Sequence, residues 1–146
     1  MLEIQSEIIS RILANNDIRS WLGSTPDERV LSWETPQDVV YSGQSKGTIF
    51  YRVSLNKRGV WSYPKQFHNM LVFFRVVHIS ELERDFVAEK LIEIFDDNSN
   101  NKLETTNYSV KKIDFSNKST GANEGTPSFP LYVSNISFIF SNIFKK

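Results

Sequence analysis

The 146-residue chain contains no cysteine, and none of its apolar runs is long. Without cysteine it has neither disulfides nor thiolate metal ligands, which is compatible with a reducing compartment. No apolar run approaches the roughly 20 residues that a membrane-spanning helix needs. The first residues, Met1-Leu2-Glu3-Ile4, lack the basic and apolar regions of a signal peptide. We therefore expect a soluble protein that is made in a cytoplasm and has no membrane partner.

An excess of charge of one sign is also missing. Lys and Arg together number 17, as do Asp and Glu, so the formal net charge is zero. Domains that bind nucleic acid through its phosphates usually carry a basic excess, and specific nucleic-acid binding is therefore not expected. The 11 phenylalanines, set against only two methionines, favour a rigid core or interface. The length fits one domain, residues 1–146, able to bury about two-thirds of its unfolded surface.

Residues 67–78 form the most continuously apolar stretch, rich in aromatic and β-branched residues. They predict a long central strand. Because alternate residues of a strand point to opposite faces, both faces of this strand are apolar. One face carries Met70, Val72, Phe74 and Val76, and the other Phe67, Leu71, Phe73 and Val77. A helix can cover one face, and we expect another copy of the chain to cover part of the second.

Residues 81–97 change to a helical period directly after this strand. Ser80 and Glu83 have the spacing of a capping box, in which each side chain bonds the backbone of the other residue. The predicted apolar stripe consists of Leu82, Phe86, Leu91, Ile94 and Phe95, with charged residues between them.

The chain before this unit predicts one clear helix and one clear strand. The helix covers residues 2–13, with an apolar face of Leu2, Ile4, Ile8, Ile9, Ile12 and Leu13. Asp17 is expected to cap a short following turn that Gly23 closes. Residues 24–46 predict a mostly extended segment with short strands near Val30 and Val39. Residues 48–55 alternate as a strand, with Ile49, Tyr51, Val53 and Leu55 inward and Phe50, Arg52 and Ser54 toward water.

After the central unit the sequence predicts two more strands and a loop. Residues 108–115 change apolar parity between Val110 and Ile113, around two lysines, which indicates a bulge on an edge strand. Residues 116–127 predict a long polar loop. Residues 129–142 predict a last strand with two apolar faces. The whole order predicts an α+β fold: an antiparallel sheet of about four or more strands with two main helices packed on one face.

Candidate catalytic and metal motifs are weak. Residues 43–47 match G-x-S-x-G, but the serine elbow of hydrolases needs a strand before it and a helix after it, whereas here a strand follows. Asp96, Asn98 and Asn100 have the spacing of the first calcium-loop ligands, yet no acidic residue closes the loop. His68 and His78 lie about 30 Å apart on an extended strand, too far for one metal, and each is expected to be half-buried or exposed.

The carboxylates of the second helix are interleaved with Arg84 and Lys90, as on an ordinary solvated face. We therefore expect no enzyme activity and no cofactor.

The order and pattern of these elements resemble the tail terminator (tail completion) proteins of long-tailed bacteriophages. The resemblance rests on the helix at Leu2–Leu13, the extended proline-bearing segment, the strands at 48–55 and 67–78, the helix at 81–97 and the closing hairpin. It spans nearly the whole chain but has no signature residue. It implies a hexameric ring, located in the virion at the head-proximal end of the tail, that stops growth of the tail tube and joins it to the head connector. Tail tube protein and connector protein are the implied partners.

The turn at 56–61 and the loop at 116–127 are the expected contact regions with neighbouring subunits or the tube. Their candidate residues are Lys57, Arg58, Trp61, Asn117, Lys118, Asn123 and Glu124. Three alternatives stay open. In the first, the protein is a different neck, connector or baseplate component of a phage tail or of a contractile injection system. In the second, it is a non-viral ligand-binding α+β domain. In the third, the basic and aromatic residues at 57–65 form an ordinary exposed hairpin tip and not a contact site.

Overall fold

The computed structural model describes residues 2–23, 26, 29–33, 47–56, 68–96, 102–121 and 130–146. Within these residues six strands form one sheet in the order β1-β2-β3-β6-β5-β4. The strands are β1 (Val30–Ser32), β2 (Gly47–Asn56), β3 (His68–His78), β4 (Leu103–Glu104), β5 (Tyr108–Thr120) and β6 (Tyr132–Lys145). The helices are α1 (Leu2–Leu13), α2 (Asn16–Leu22) and α3 (Glu81–Phe95).

The prediction of a purely antiparallel sheet is wrong. β1 runs parallel to β2, with Val30 opposite Ile49, whereas the other four strand pairs are antiparallel. The sheet is mixed, curls into a half-barrel and accounts for 50% of the described structure, so strands rather than helices dominate the fold. A three-residue strand leaves almost no periodic signal, and its parallel pairing joins distant parts of the chain.

One face of the sheet, here called the helix side, carries the main core. Met70, Val72, Phe74 and Val76, which form one of the two predicted apolar faces of β3, are fully buried there. β6 contributes Ile136, Phe138 and Phe140 in matching register, since Phe138 lies opposite Val72. All three helices pack on this side and share one cluster with these strands.

Helices α1 and α2 follow their sequence signals closely, except at one cap. Ile4, Ile8 and Ile12 recur every four residues and are all buried. The cap of α2 is Asn15 rather than Asp17, because the Asn15 Oδ1 accepts the amide of Ile18 at 3.1 Å. Gly23 ends α2 with φ +93°, a conformation that a residue without Cβ adopts freely.

The predicted apolar stripe of α3 is wrong in its first half. The residues that contact the core are Arg84, Val87, Ala88, Leu91 and Phe95, whereas Leu82 is 82% exposed and Phe86 46% exposed. The predicted capping box is absent as well: Ser80 occupies the cap position but makes no side-chain cap bond. The Glu83 carboxylate lies instead 2.8 Å from His78 Nε2.

The opposite face of the sheet, here called the second face, is only partly covered. Phe50, Val77 and Val133 are buried in a small cluster of their own. The prediction that Phe50 faces water is therefore wrong, although its strand parity is right. Farther along the same face, Leu71 and Phe73 are half-buried and Ile139 is 36% exposed.

Strand β5 reaches Thr120, so the predicted loop at 116–127 is wrong over its first five residues. The change of apolar parity is confirmed: Val110 and Ile113 are both fully buried on the helix side. The predicted bulge at the two lysines is wrong, because the pairing with β6 keeps one register from Val110 to Phe115 and shifts only between Phe115 and Asn117. The left-handed Asn142 of β6, with φ +53°, lies opposite the lysines instead. Among the described residues, β5 beyond Val110 has only β6 as a neighbour, which confirms an edge.

Candidate assembly surface

Of the seven predicted contact residues, the structure describes Asn117 and Lys118. The other five, Lys57, Arg58, Trp61, Asn123 and Glu124, lie outside the described residues. Asn117 and Lys118 follow the register shift of β5 and point to opposite faces, since they pair with Ser137 and Ile136 respectively. Asn117 lines a cavity on the second face, whereas the Lys118 Nζ lies 2.7 Å from Glu89 Oε1 on α3. The structure therefore does not bring these two side chains into one site.

The cavity on the second face has a volume of about 350 Å³ and spans four strands of the sheet. Residues of β2, β3, β5 and β6 line it, together with Trp33. The described residues that line it are Trp33, Arg52, Phe73, Phe74, Arg75, Asn117, Ser119, Asn135, Ile136 and Ser137. A volume of this size lies at the lower end of the range for binding pockets, about 300–1,000 Å³.

Two arginines give this cavity a positive character. Arg52 is exposed and lies opposite Phe73 in the β2–β3 register. The Arg75 guanidinium lies 5.7 Å from the centre of the Trp33 ring, within the range of a cation–π contact. None of the described lining residues is acidic. The cavity thus combines an aromatic floor, amide and hydroxyl groups and exposed positive charge.

On the other side of the molecule, α3 exposes an apolar and acidic surface that we call the α3 ridge. It consists of Leu82, Phe86, Glu89 and Glu93, which recur at three- and four-residue steps and are all exposed. Ile79, which precedes the helix by two residues, is also 43% exposed. Large apolar side chains clustered on one helix face are a feature of contact surfaces.

A buried arginine anchors α3 under the end of the β5–β6 hairpin. Arg84 is 1% exposed and donates to the backbone oxygens of Gly121 and Val133 at 3.2 and 3.5 Å. The Asp85 carboxylate lies 2.8 Å from the same guanidinium. Because the buried charge is both paired and hydrogen-bonded, its burial is tolerated, and it fixes the position of the α3 ridge.

His78 is buried, so the prediction of a half-buried or exposed strand histidine is wrong for it. Its ring lies 4.6 Å from the ring of Trp21, and its Nδ1 accepts the amide of Ser80 at 2.7 Å. The contacts with Trp21, Ser80 and Glu83 explain this histidine as a structural residue.

The other chemical motifs gain no support in the described part of the chain. Residues 43–46 and Asn98 and Asn100 lie outside it, and the side chain of His68 is not described. Asp96 follows the last turn of α3 as its cap. No group of three or more His, Asp or Glu residues in the described ranges is placed to hold a metal. No helix in those ranges is long and apolar enough to span a membrane.

At the β4 edge of the sheet, the Glu104 carboxylate interacts with two residues of β5 and with Lys146. Its carboxylate accepts from Ser109 Oγ at 2.6 Å and lies 2.9 Å from Lys146 Nζ and 3.3 Å from Lys111 Nζ. The Ser109 hydrogen bond and then the two lysines lower the pKa of Glu104 to about 2. This network ties the C-terminal residue to β4 and β5.

The sequence predicted neither the cavity nor the α3 ridge, for different reasons. The alternation of β2 and β3 predicts the faces of Arg52 and Phe73 correctly, but nothing in the sequence shows that the two residues lie opposite each other in the sheet. The apolar residues of α3 fit two helical stripes. The sequence favours the stripe that contains Leu82 and Phe86, and this predicts that both residues lie in the core. The helix stripe that faces the sheet contains Arg84, and a charged residue on a helix face usually indicates exposure to solvent.

The comparisons with known proteins find a similar fold but no matching family. No family model and no curated protein matches the chain. Among solved structures, the fold resembles a chain in the virion of a native gene transfer agent particle, with a TM-score of 0.65 and 7% sequence identity. The likeness covers 99% of this chain and 96% of that chain. The two chains therefore share one fold over almost their full lengths.

Proposed function

We propose that this protein is a structural component of a phage-like virion. More specifically, it forms a ring at the head-proximal end of the tail tube, stops growth of the tube and joins it to the head connector. The observation that carries the proposal is the two-way match with a chain of a gene transfer agent virion, which leaves almost no part of either chain unmatched.

The surfaces of the molecule support a role in assembly. The second face leaves Leu71, Phe73 and Ile139 partly open to solvent, and α3 leaves Leu82 and Phe86 exposed. Clusters of exposed apolar side chains are a feature of interaction surfaces. A subunit of a ring needs two such surfaces, because each copy contacts a neighbour on either side.

In this proposal the partners are other copies of the chain, the tail tube protein and the head–tail connector. The protein acts by binding and shape and has no catalytic role. The order of the elements, from the N-terminal helix to the closing β5–β6 hairpin, supports the terminator assignment.

Deletion of the gene from the virus or particle that encodes it tests the proposal. We expect tails of abnormal and variable length that carry no head, visible by negative-stain electron microscopy, while heads and tail tubes still form. Supplying the protein in trans restores normal tails. Particles with tails of normal length and firmly attached heads would contradict the proposal.

The same deletion separates the terminator from another neck or connector component. Loss of a connector leaves tails of normal length that fail to join heads, whereas loss of a terminator changes tail length. Immunogold labelling of intact particles separates the terminator from a baseplate component, since the terminator ring lies at the head-proximal end of the tail.

The 350 Å³ cavity favours one further candidate, a domain that binds a small anionic ligand between Arg52 and Arg75. Such a domain is expected to remain monomeric and to co-purify with its ligand. Native mass spectrometry of the purified protein distinguishes a ligand adduct from self-association.

A further inference from the structure

We infer that the α3 ridge of one copy docks into the arginine-lined cavity on the second face of the next copy. This inference rests on the proposed function and names the subunit contact of the ring. The occupant of the cavity is thus a second copy of this chain, presented through Leu82, Phe86, Glu89 and Glu93.

Charge complementarity supports this pairing. Helix α3 carries five carboxylates and two basic residues, and one of these two, Arg84, is buried. Glu89 is paired with Lys118 at 2.7 Å and Glu93 with Lys90 at 3.4 Å. The five carboxylates still outnumber Arg84, Lys90 and Lys118, and this excess gives the surface of α3 a net negative charge. The described lining of the cavity contains Arg52 and Arg75 and no carboxylate. Opposite charges across an interface fix its register and exclude pairings between like surfaces.

Apolar complementarity supports the same pairing. The ridge offers Leu82, which is 82% exposed, and Phe86, which is 46% exposed. The second face offers Phe73 in the cavity and Leu71 and Ile139 beside it. An interface with an aromatic and aliphatic centre and a charged rim has the composition of protein contacts that are stable in water.

The positions of the two surfaces determine the symmetry of the contact. Val87, Ala88 and Leu91 pack α3 onto the helix side, so its ridge faces away from the sheet. The cavity lies on the other face of the same sheet. One copy therefore presents its ridge and its cavity in opposite directions, and the contact is head-to-tail. A head-to-tail contact that closes by rotation gives a ring, whereas a two-fold dimer would bring ridge against ridge and carboxylate against carboxylate.

Two single variants test the contact from its two sides. Leu82→Ser removes the most exposed apolar group of the ridge, and Arg52→Glu reverses the exposed charge of the cavity. Each is expected to raise the dissociation constant of self-association at least tenfold in analytical ultracentrifugation. Because both side chains are exposed in the single chain, the melting temperature of the monomer should stay within about 2 °C of wild type.

Matched controls distinguish this contact from a general effect of surface changes. Leu2 is a helical leucine that is 78% exposed, nearly the same as Leu82, but it lies on α1. Lys145 is an exposed cation at the end of β6. Leu2→Ser and Lys145→Glu are expected to self-associate as wild type does.

Mixing the two variants gives the sharpest test. A Leu82→Ser chain keeps an intact cavity, and an Arg52→Glu chain keeps an intact ridge. An equimolar mixture should therefore form a heterodimer through one intact contact and stop there, which native mass spectrometry resolves. Complete rings in the mixture, or wild-type affinity of either variant alone, would overturn the inference. A small molecule bound in the cavity of the assembled protein would overturn it too.

Failure of the inference and failure of the proposed function give different results. If Leu82→Ser and Arg52→Glu chains assemble normally and still restore tail length in the deletion strain, the contact is wrong and the function stands. If wild-type chains associate through the ridge but deletion leaves tails unchanged, the contact stands and the function is wrong. Wild-type chains that stay monomeric at every concentration, with and without tail tubes, would overturn both.

Discussion

Gly47 shows how tightly single residues are packed where β2 meets β3. A Cβ at this position would lie 2.5 Å from His78 Cδ2 and 2.5 Å from Trp21 Cη2. Both rings are buried, so they have little room to move, and overpacking of a core costs about 1–3 kcal/mol. Reduced freedom of the unfolded chain returns only about 0.4–1 kcal/mol. We expect Gly47→Ala to destabilise the fold in urea unfolding.

The matched control for this substitution is Gly121→Ala, since no atom of the described residues lies within 4 Å of a Cβ at Gly121. Its free energy of unfolding should change by less than about 0.5 kcal/mol. Equal effects of the two substitutions would contradict the packing described around Gly47.

Arg84 is the residue on which the position of α3 depends most. Replacement by Met keeps the length of the side chain but leaves the Gly121 and Val133 carbonyls without their guanidinium donor. Hydrogen bonds to a charged group contribute about 1.5–3 kcal/mol each, so we expect Arg84→Met to destabilise the protein by about 2–4 kcal/mol.

Lys112→Met provides the comparison for Arg84→Met. The Lys112 ion pair with Asp114, at 3.5 Å, is solvent-exposed, and pairs of this kind contribute about 0–1 kcal/mol. Chemical denaturation of both variants measures the difference. A stability of Arg84→Met equal to that of Lys112→Met would contradict the anchoring role.

At the scale of single elements, the helix caps give a clear test. Asn15 caps α2 through its side chain, whereas Ser80 stands at the start of α3 without a side-chain cap bond. Loss of a capping bond costs about 1 kcal/mol. Asn15→Ala should therefore lower the free energy of unfolding by about this amount, and Ser80→Ala by distinctly less. The reverse order would show that the capping box predicted from sequence forms in solution.

The β4–β5 edge should respond to acid through Glu104. The Ser109 hydrogen bond and the lysines lower its pKa to about 2, from an ordinary value near 4.5. Since the folded state favours the ionised form, its stabilising effect is fully present above about pH 4.5 and is lost as the pH falls toward 2. The stability difference between wild type and Glu104→Gln should shrink over this range in urea titrations. A difference that does not change with pH would contradict the network.

The sequence predicts helices and strands best where an apolar residue recurs at a regular spacing along one continuous segment. α1 and the long strands β2, β3 and β6 follow their periods. The alternation of β3 separates its two faces residue by residue, although it does not show which face the helices cover. α3 shows the limit of such reasoning. Its apolar residues fit two stripes, and only contact with the sheet decides that Val87 and Leu91 face inward and Leu82 outward.

Non-local pairing accounts for the other errors. β1 was visible only as the apolar pair at Val30 and Leu31, and its parallel alignment with β2 depends on distant parts of the chain. Residues 116–120 read as loop because they are polar. They form strand nonetheless, because β6 offers a full row of backbone partners as far as Ser134. Of the candidate site, the sequence indicated Asn117 but not the cavity that it lines.

At the scale of the whole molecule, the two exposed surfaces explain why a domain with a complete core on the helix side still leaves large apolar groups in water. The core is closed around Phe74, Phe95 and Phe138, whose ring centres lie within 6 Å of one another. The main core therefore lies on the helix side, and in the proposed ring the second face and the α3 ridge are the surfaces that remain for contact between copies.

Native mass spectrometry of the wild-type protein, alone and with tail tubes, tests the central claim most directly. The account predicts a closed assembly with a mass near six times 16.9 kDa, and it predicts that Leu82→Ser abolishes this species while Leu2→Ser preserves it. A protein that remains a 16.9 kDa monomer at all concentrations and on tail tubes would contradict the account.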